Sequence, residues 1–516
     1  MIKTLTSQSA SLSSYRRRLF QILALGLGLR LLLAVVLPPG YDESYYLFYG
    51  QHLALSYFDH PLAIGLWSWL GNVLGGHLLA LRLPALISYT LATAVLAEAT
   101  RRLFGSTAGL LAAVIASVSP LLLACGGLLL LPDSPLVLLL ALLLLWLAHH
   151  PLSTALNPSQ ALRFGLLLGL LSLCKYQALL VILSLVGWKL WQALRQGLPF
   201  LREVLLVAAG WLAASSPLWI WNATHQWASF AFHTARTQTP QGFHWDGPPL
   251  FLLSQLLLLF PTIGLVLLRG LALNARTSSN PEAVQLLRWI AICQLALFLV
   301  LAGRMQVLSS WLVPAWWMLV PLAAAALEPA VVAGRRWLRW FGWGTVLLVP
   351  VLALLAASHV RWGIAQRLLP PSVDTSGQLM DPLRLRRTLQ AHPGIWRALG
   401  DAQVIGSNRY ELPGFLALAL RGHTRASYTT VASDARGFRF WRGQLDPQAT
   451  RGVLFAVLGD YGTIGSLNSE GQFPDLQPLG QVAVLRAGQP AAVLEFYRFN
   501  PSRHRDLLRP DGSPRS

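Results

Sequence analysis

Apolar segments long enough to cross a bilayer recur along most of this chain, and nothing else limits its fold as strongly. A spanning helix needs roughly 20 mostly apolar residues. About eleven segments meet or approach that length: 19–37, 78–99, 107–126, 134–149, 161–174, 176–192, 203–221, 249–268, 286–302, 309–327 and 337–357. The fifth and sixth are short, and read as half-spans or as one broken hairpin. Composition agrees. Only 12% of the residues are charged and 54% are hydrophobic, where a soluble globular protein carries about 25% charged residues. That is too little charge to coat a water-facing surface. An ordinary cytosolic enzyme, a disordered chain and a nucleic-acid-binding domain are therefore excluded, despite the formal charge of +19. The expectation is a polytopic α-helical membrane protein of about eleven spans, within about 10 to 13.

The basic residues orient it. Of 40 basic residues only Lys3, Lys175 and Lys189 are lysines. Arg16, Arg17 and Arg18 precede the first apolar run, as in a signal peptide. The run continues into Pro38-Pro39-Gly40-Tyr41-Asp42 without a small-residue cleavage site, so it reads as an uncleaved first span. With the N-terminus in the cytoplasm, the cytoplasmic junctions carry Arg101 and Arg102; Arg163; Arg195 and Arg202; Arg269, Arg276 and Arg288; and Arg335, Arg336 and Arg339. This is the positive-inside pattern. The opposite side then receives segment 38–77, the junctions at Asp133, Lys175 and Arg304, loop 222–248 and the tail. The cysteines, Cys125, Cys174 and Cys293, lie in apolar stretches without metal-type spacing, so a disulfide framework is not expected.

The chain divides into a membrane domain, 1–358, and a polar tail, 359–516, expected to be a small extracytoplasmic α/β domain of about 150 residues. Residues 381–399 have helical spacing. Val453–Leu458 and Ala491–Tyr497 read as strands, and the last dozen residues as frayed. No internal repeat is visible.

Acidic residues number 21, and their placement is informative for that reason. Asp42 and Glu43 follow the first span. Asp59 and His60 stand in the same loop, and Asp133 stands at the mouth of the fourth span. All fall on one side of the membrane in this topology. Loop 38–77 also carries Tyr45, Tyr46, Phe48, Tyr49, Tyr57, Phe58, Trp67 and Trp69, which suits a helix lying in the interface. Clustered ionisable groups beside a membrane are costly and read as functional. Asp133 alone is equally well a helix N-cap. Lys175 is either a snorkelling lysine or a point charge for a phosphate. Loop 222–248 contributes His225, His233, Arg236 and His244 among aromatic residues, which could complete a phosphate site or a divalent-metal site. Arg304 is a phosphate contact or an interfacial anchor.

Tyr41-Asp42-Glu43-Ser44-Tyr45-Tyr46, His52-Leu53-Ala54 and Tyr57-Phe58-Asp59-His60-Pro61 together resemble the first extracytoplasmic loop of the GT-C glycosyltransferases. More narrowly, they resemble the bacterial protein mannosyltransferase and aminoarabinose transferase superfamily. Pro132-Asp133-Ser134-Pro135, Lys175-Tyr176 and Pro217–Asn222, followed by His225 and Trp227–Phe230, continue the likeness over about residues 30–330. The resemblance implies a GT-C fold and a sugar taken from a polyprenyl-phosphate donor on the outer leaflet. The acceptor would be a lipid, glycan or protein, and the location the bacterial inner membrane with a periplasmic active site. It implies Asp42 as catalytic carboxylate, with Glu43 and Asp133 in the catalytic set. Asp59 corresponds to a metal or substrate ligand, joined by His233, with Arg236 near the phosphate. His60 and His225 are further site candidates, and the one cofactor implied is a divalent metal ion. The chain departs from many relatives in reading His60-Pro61-Leu62 for His-Pro-Pro, and in carrying Arg304 where lysine is common.

The chemistry is consistent with that likeness. A lipid-phosphate sugar carries its own leaving group, and no G-x-G-x-x-G follows a strand. The reaction needs a base, for which Asp42 is placed, and positive charge for the departing phosphate, for which Lys175, Arg236 and Arg304 are candidates. With no second carboxylate placed as nucleophile, a single displacement inverts the anomeric centre. A transporter would show repeats and midplane acids. A non-catalytic scaffold would not need clustered carboxylates.

Overall fold

The computed structural model describes residues 2–196, 200–237, 242–369, 374–458, 473 and 475–508. The terminal residues 509–516, part of the stretch expected to fray, lie outside them. The chain forms two compact units. The first comprises Met1–Ala34, Ala54–Trp67 and Arg82–Ala353; the second comprises Val35–Leu53, Ser68–Leu81 and Leu354–Ser516. The second unit is thus assembled from the tail together with two pieces of the first loop region.

The helices up to the tail are α1 (Ile2–Val36), α2 (Tyr41–Tyr46), α3 (Ala63–Val73), α4 (Leu78–Phe104), α5 (Ser106–Val118), α6 (Pro120–Leu122), α7 (Asp133–His149), α8 (Pro158–Ser172), α9 (Ala178–Gln196), α10 (Phe200–Thr224), α11 (Ala228–Thr237), α12 (Gly247–Leu259), α13 (Pro261–Leu271), α14 (Pro281–Ala302), α15 (Val313–Val332) and α16 (Arg336–Trp362). Among the described residues, six helical stretches are long and apolar enough to cross a membrane, and two bent helix pairs pass the same test. The third and eighth sequence segments are these bent pairs. α5 meets the helical stretch Pro120–Leu128, which α6 opens, at 70°, and α12 meets α13 at 114°. Each break falls before a proline, Pro120 or Pro261, which has no amide proton to continue the preceding helix. At the second break Phe260 takes φ 74° and ψ 129°, outside the helical region, so the first helix cannot run on. The fourth and sixth segments are shorter apolar helices, and the fifth is the 15-residue α8. The interfacial helix expected in loop 38–77 is instead two pieces, α2 and α3.

Within the first unit α15 is the central element, buried from Val313 through Ala324 and including Trp316 and Trp317. A helix apolar on every side belongs in a core. By contrast Phe20, Leu25, Leu205 and Leu265 are exposed, as a lipid-facing surface requires. α8 and α10 pack backbone to backbone. A Cβ on Gly165 would stand 2.1 Å from Val207 O, and one on Gly210 would stand 2.4 Å from Leu162 O. Small residues at such contacts let spanning helices approach closely.

In the second unit the tail adds α17 (Pro382–Gln390), α18 (Pro393–Asp401), α19 (Leu412–Ala419) and α20 (Phe438–Trp441). They surround strands β1 (Val404–Ser407), β2 (Ser427–Thr430), β3 (Gly452–Val457), β4 (Gln477–Arg486) and β5 (Gln489–Phe499). The sheet order is β2-β1-β3-β5-β4, with β2, β1 and β3 parallel and β5 antiparallel to β3 and β4. The two strands read from sequence are β3 and β5. The helical stretch 381–399 is two helices because Pro393 ends the first and starts the second. The β4–β5 hairpin turns through Ala487 and Gly488, both at positive φ, the geometry that matches strand twist.

Candidate active site

The first unit builds a polar cluster around the tight turn Ser56–Pro61. Ser56 and Pro61 form an isolated antiparallel bridge, and the Tyr57 amide donates to His60 O at 3.0 Å. Tyr57 and Asp59 are each 2% exposed. Burial pushes the Tyr57 phenol up to about 12, against the effect of the Ala54 amide that donates to it. At the end of α10, Gln226 and Trp227 take φ 54° and 56°, left-handed values that non-glycine residues rarely adopt. This reversal directs α11 against the turn. Ser229 Oγ donates to Tyr57 O at 2.9 Å, His233 Nε2 lies 3.1 Å from Asp59 O, and the Phe58 and Phe232 rings stand 4.8 Å apart. A carbonyl only accepts, so Nε2 of His233 carries a proton.

Asp59 and His233 are therefore brought together, but through a backbone carbonyl. A divalent ion would need several aligned oxygen or nitrogen ligands. Among the described residues no group of three or more His, Cys, Asp or Glu side chains is placed to hold one. The protonated Nε2 is not a metal ligand in this arrangement. The residues present do not fit the metal centre implied by the resemblance.

Tyr176 packs against the same turn and helix. Its ring is 4.6 Å from His233 and 5.8 Å from Phe230. Burial raises the phenol above its ordinary value, the nearby side chains of Ser229, Asn222 and Ser56 oppose the shift, and Asp59 adds to it. The sequence flagged Tyr176 only as the neighbour of Lys175. Asn222 and Ser229 stood in the stretches that carry the resemblance without being singled out as site residues, and Ser56 carried no signal, because neutral polar residues leave no charge pattern.

Lys175 lies with Asp133. Its Nζ donates to both carboxylate oxygens at 2.9 and 2.8 Å and approaches Ser310 O at 3.3 Å and Ser310 Oγ at 3.4 Å. Lys175 is 2% and Asp133 1% exposed, so Lys175 does not snorkel. Asp133 opens α7 but makes no side-chain cap. His225 stacks on Trp221 at 4.1 Å, and its Nδ1 lies 2.8 Å from Trp221 O, within the last turn of α10. Arg304 follows α14 and is exposed. Arg236 belongs to α11, but its side chain lies outside the described residues.

The second unit holds Asp42 and Glu43, and it separates them. Asp42 is exposed and Glu43 is 1% exposed. Glu43 Oε2 accepts from the Gly40 amide at 3.3 Å, fastening the start of α2. The helix is seated on the β1–α19 loop. Ser44 Oγ donates to Glu411 O at 2.7 Å, and a Cβ on Gly414 would stand 1.9 Å from Ser44 O, so only glycine fits there. The Gly437 amide donates to Tyr45 Oη at 2.7 Å, Tyr41 Oη donates to Gln378 at 2.8 Å, and the Arg409 guanidinium lies 5.2 Å from the Tyr41 ring centre. These anchors make α2 rigid while leaving Asp42 at the surface.

Residues 59–221 match the family model for dolichyl-phosphate-mannose-protein mannosyltransferases. No curated protein matches the chain. In three dimensions the chain is similar to ArnT from Cupriavidus metallidurans bound to undecaprenyl phosphate. The TM-score is 0.58 at 17% identity, over 92% of this chain and 97% of that one. The apo structure of the same protein gives a TM-score of 0.55 at 16% identity over the same shares. The chain is a polytopic helical membrane protein with the GT-C glycosyltransferase fold and a C-terminal sheet domain.

Proposed function

We propose that the protein is an integral membrane glycosyltransferase that moves a sugar from a polyprenyl-phosphate donor to a lipid, glycan or protein acceptor. The sugar is a hexose or a pentose, and the reaction runs on the periplasmic side of the bacterial inner membrane. The observation that carries this is the separation of Asp42 from Glu43: one carboxylate is exposed on a helix that the other, buried, holds in place. A base needs access to substrate and a fixed position. The undecaprenyl phosphate in the ArnT structure supports a polyprenyl carrier. The basic arginines of the junction loops support the orientation.

In this reading Asp42 takes the proton of the acceptor group. The acceptor oxygen attacks the anomeric carbon, the bond from that carbon to the phosphate oxygen breaks, and the lipid phosphate leaves with its electron pair. One displacement inverts the anomeric configuration. Arg236 and Arg304 are the proposed phosphate contacts. Lys175, whose donors are directed to Asp133 and Ser310, holds the loop before α9 in place. Asp59 and His233 serve as substrate-side residues, and no step is assigned to a metal ion.

Transfer from radiolabelled polyprenyl-phosphate sugars in membranes tests the proposal. Label should reach a membrane or protein acceptor with wild type and not with Asp42→Asn. Equal transfer from a soluble nucleotide sugar without a lipid carrier overturns it.

A further inference from the structure

The apolar surface of α16 does not stop where the helix stops. α16 presents Val351, Leu352 and Leu355 outward, as a lipid-facing span should, and ends at the exposed Trp362. The turns that follow keep the pattern. Ile364 is 57% and Leu368 83% exposed, with Leu369 exposed beside them. Gln366, between the two, turns inward, and its Oε1 accepts from Arg486 Nε at 2.8 Å. Backbone bonds fix these turns: the Gly363 amide donates to His359 O at 2.7 Å, and the Leu368 amide to Ala365 O at 2.9 Å. α17 adds a residue to the same place. Arg361 lies 3.6 Å from Asp381, and Arg384 donates to Arg361 O, so the first turn of α17 stands against the end of α16. Leu383, between Asp381 and Arg384, is 58% exposed, although Leu385 and Leu389 of the same helix are in the core.

A second contact fixes the level of this patch. Arg361 Nη1 donates to Val35 O at 2.6 Å, so the end of α1 meets the end of α16. Both helices are long and apolar enough to cross a membrane. Their joined ends therefore mark where two spans leave the same face of the bilayer. Exposed Trp362, Ile364 and Leu368 lie within two turns of that mark. An apolar patch continuous with a lipid-facing helix, at the level where the helix emerges, is covered by the same lipid. The charges agree. The Arg361 guanidinium lies 5.4 Å from the Trp362 ring centre, and Arg367 is exposed beside Leu368. Tryptophan and arginine are the residues that anchor a chain at the headgroups, the one by its amphipathic ring and the other by a charged head on an apolar stem.

We propose that Trp362, Ile364, Leu368 and Leu383 form a membrane-docking surface of the C-terminal domain, set roughly 5–10 Å into the leaflet where α1 and α16 end. The domain is then held by the bilayer itself and not only by its attachment to α16. α2 belongs to the same unit and starts shortly after Val35, so docking keeps Asp42 close to the headgroups. The docking rests on the spanning role of α16 and is independent of the transferase reading.

Depth-dependent quenching tests it. Leu368→Cys, Leu383→Cys and Ser427→Cys are made singly in full-length protein that also carries Cys125→Ala and Cys293→Ala, the buried Cys174 being inert to labelling. Each is labelled with a small fluorophore and reconstituted in vesicles of phosphatidylcholine and phosphatidylglycerol. Ser427 is the exposed start of β2, at the sheet edge opposite β4, and serves as the water-facing reference. All three positions are exposed, so labelling empties no packed site. The labels at 368 and 383 should be quenched by lipids brominated on their acyl chains, and should be several-fold less accessible to aqueous iodide than the label at 427. With Ile364→Asp and Leu368→Asp added, the label at 383 should lose most of its lipid quenching, because carboxylates resist entering the leaflet. Iodide access at 368 and 383 equal to that at 427 overturns the docking surface and leaves the patch to a protein partner. Equal lipid quenching at all three positions overturns it as well, since contact is then not confined to the patch. So does quenching at 383 that the two aspartates leave unchanged. No transfer activity is read, so a failed transferase reading leaves these outcomes as they are.

Discussion

Lys175 and Asp133 are each other's partners: Nζ lies 2.9 and 2.8 Å from the two carboxylate oxygens, and both residues are almost wholly buried. The pair joins α7 to the loop between α8 and α9. Breaking a buried pair leaves a charge without compensation and typically costs about 3–5 kcal/mol, whereas replacing both members with apolar residues is often neutral. Lys175→Met should therefore lower thermal stability in detergent steeply, and Lys175→Met with Asp133→Leu should recover most of the loss. A Lys175→Met protein of wild-type stability whose donor dependence alone has changed would return the lysine to the phosphate.

Asp374 supplies a pH test in the second unit. Its carboxylate receives Arg486 Nη2 and Ser376, and it contacts His359 at 3.1 Å. Burial pushes this carboxyl up, but the bonds from Ser376 and Arg486 outweigh it and hold the group below the ordinary carboxylate range. A depressed native value means the unfolded chain binds the proton first. The stabilisation is thus present above the ordinary unfolded value of about 3.9 and is lost as pH falls through the native value. Wild type should lose melting temperature below about pH 4 more steeply than Asp374→Asn, which lacks the stabilisation at every pH. Parallel pH profiles for the two proteins would contradict the assignment.

The spans were legible because burial in lipid demands long apolar runs, and the acids stood out because they are few. Asp59 and His233 were both visible as titratable residues, and they do come together. Their contact through a carbonyl was not visible, because backbone geometry leaves no residue signature. Lys175 and Asp133 were each conspicuous, yet nothing in a sequence pairs residues across two helices. The 114° bend before Pro261 was hidden by hydropathy, which averages over a break as readily as over a straight helix. The seating of Ser44 against Gly414 was hidden because the two are far apart in sequence.

His233 should matter through the turn it holds. Nε2 bonds to Asp59 O, and the neighbouring Ser229 bonds to Tyr57 O. Removing the donor with His233→Ala costs on the order of 1 kcal/mol of local stability. Amide hydrogen exchange across residues 56–61 should quicken several-fold, with little change in global melting. Unchanged exchange there, together with lost activity, would instead give the imidazole a direct chemical part.

Asp42 and Glu43 are adjacent and should fail in different ways. Asp42 is exposed, so Asp42→Asn removes a charge without emptying any packed site. Stability should stay within about 0.5 kcal/mol of wild type, as for surface substitutions generally. If Asp42 is the base, kcat should fall about 100-fold or more while donor binding is retained. Glu43 is buried and accepts from the Gly40 amide at the start of α2. Glu43→Gln keeps the shape and an acceptor oxygen but loses the charge-assisted bond. It should cost on the order of 1 kcal/mol of stability, as the loss of a helix cap does. Its activity should fall less, through a looser α2, and recover on cooling as the helix is restored. Melting curves and initial rates on the same four preparations (wild type, each single variant and the double) separate the two roles. An inactive, fully stable Glu43→Gln beside an active Asp42→Asn would exchange them, and two equally active variants would remove the base from this helix altogether.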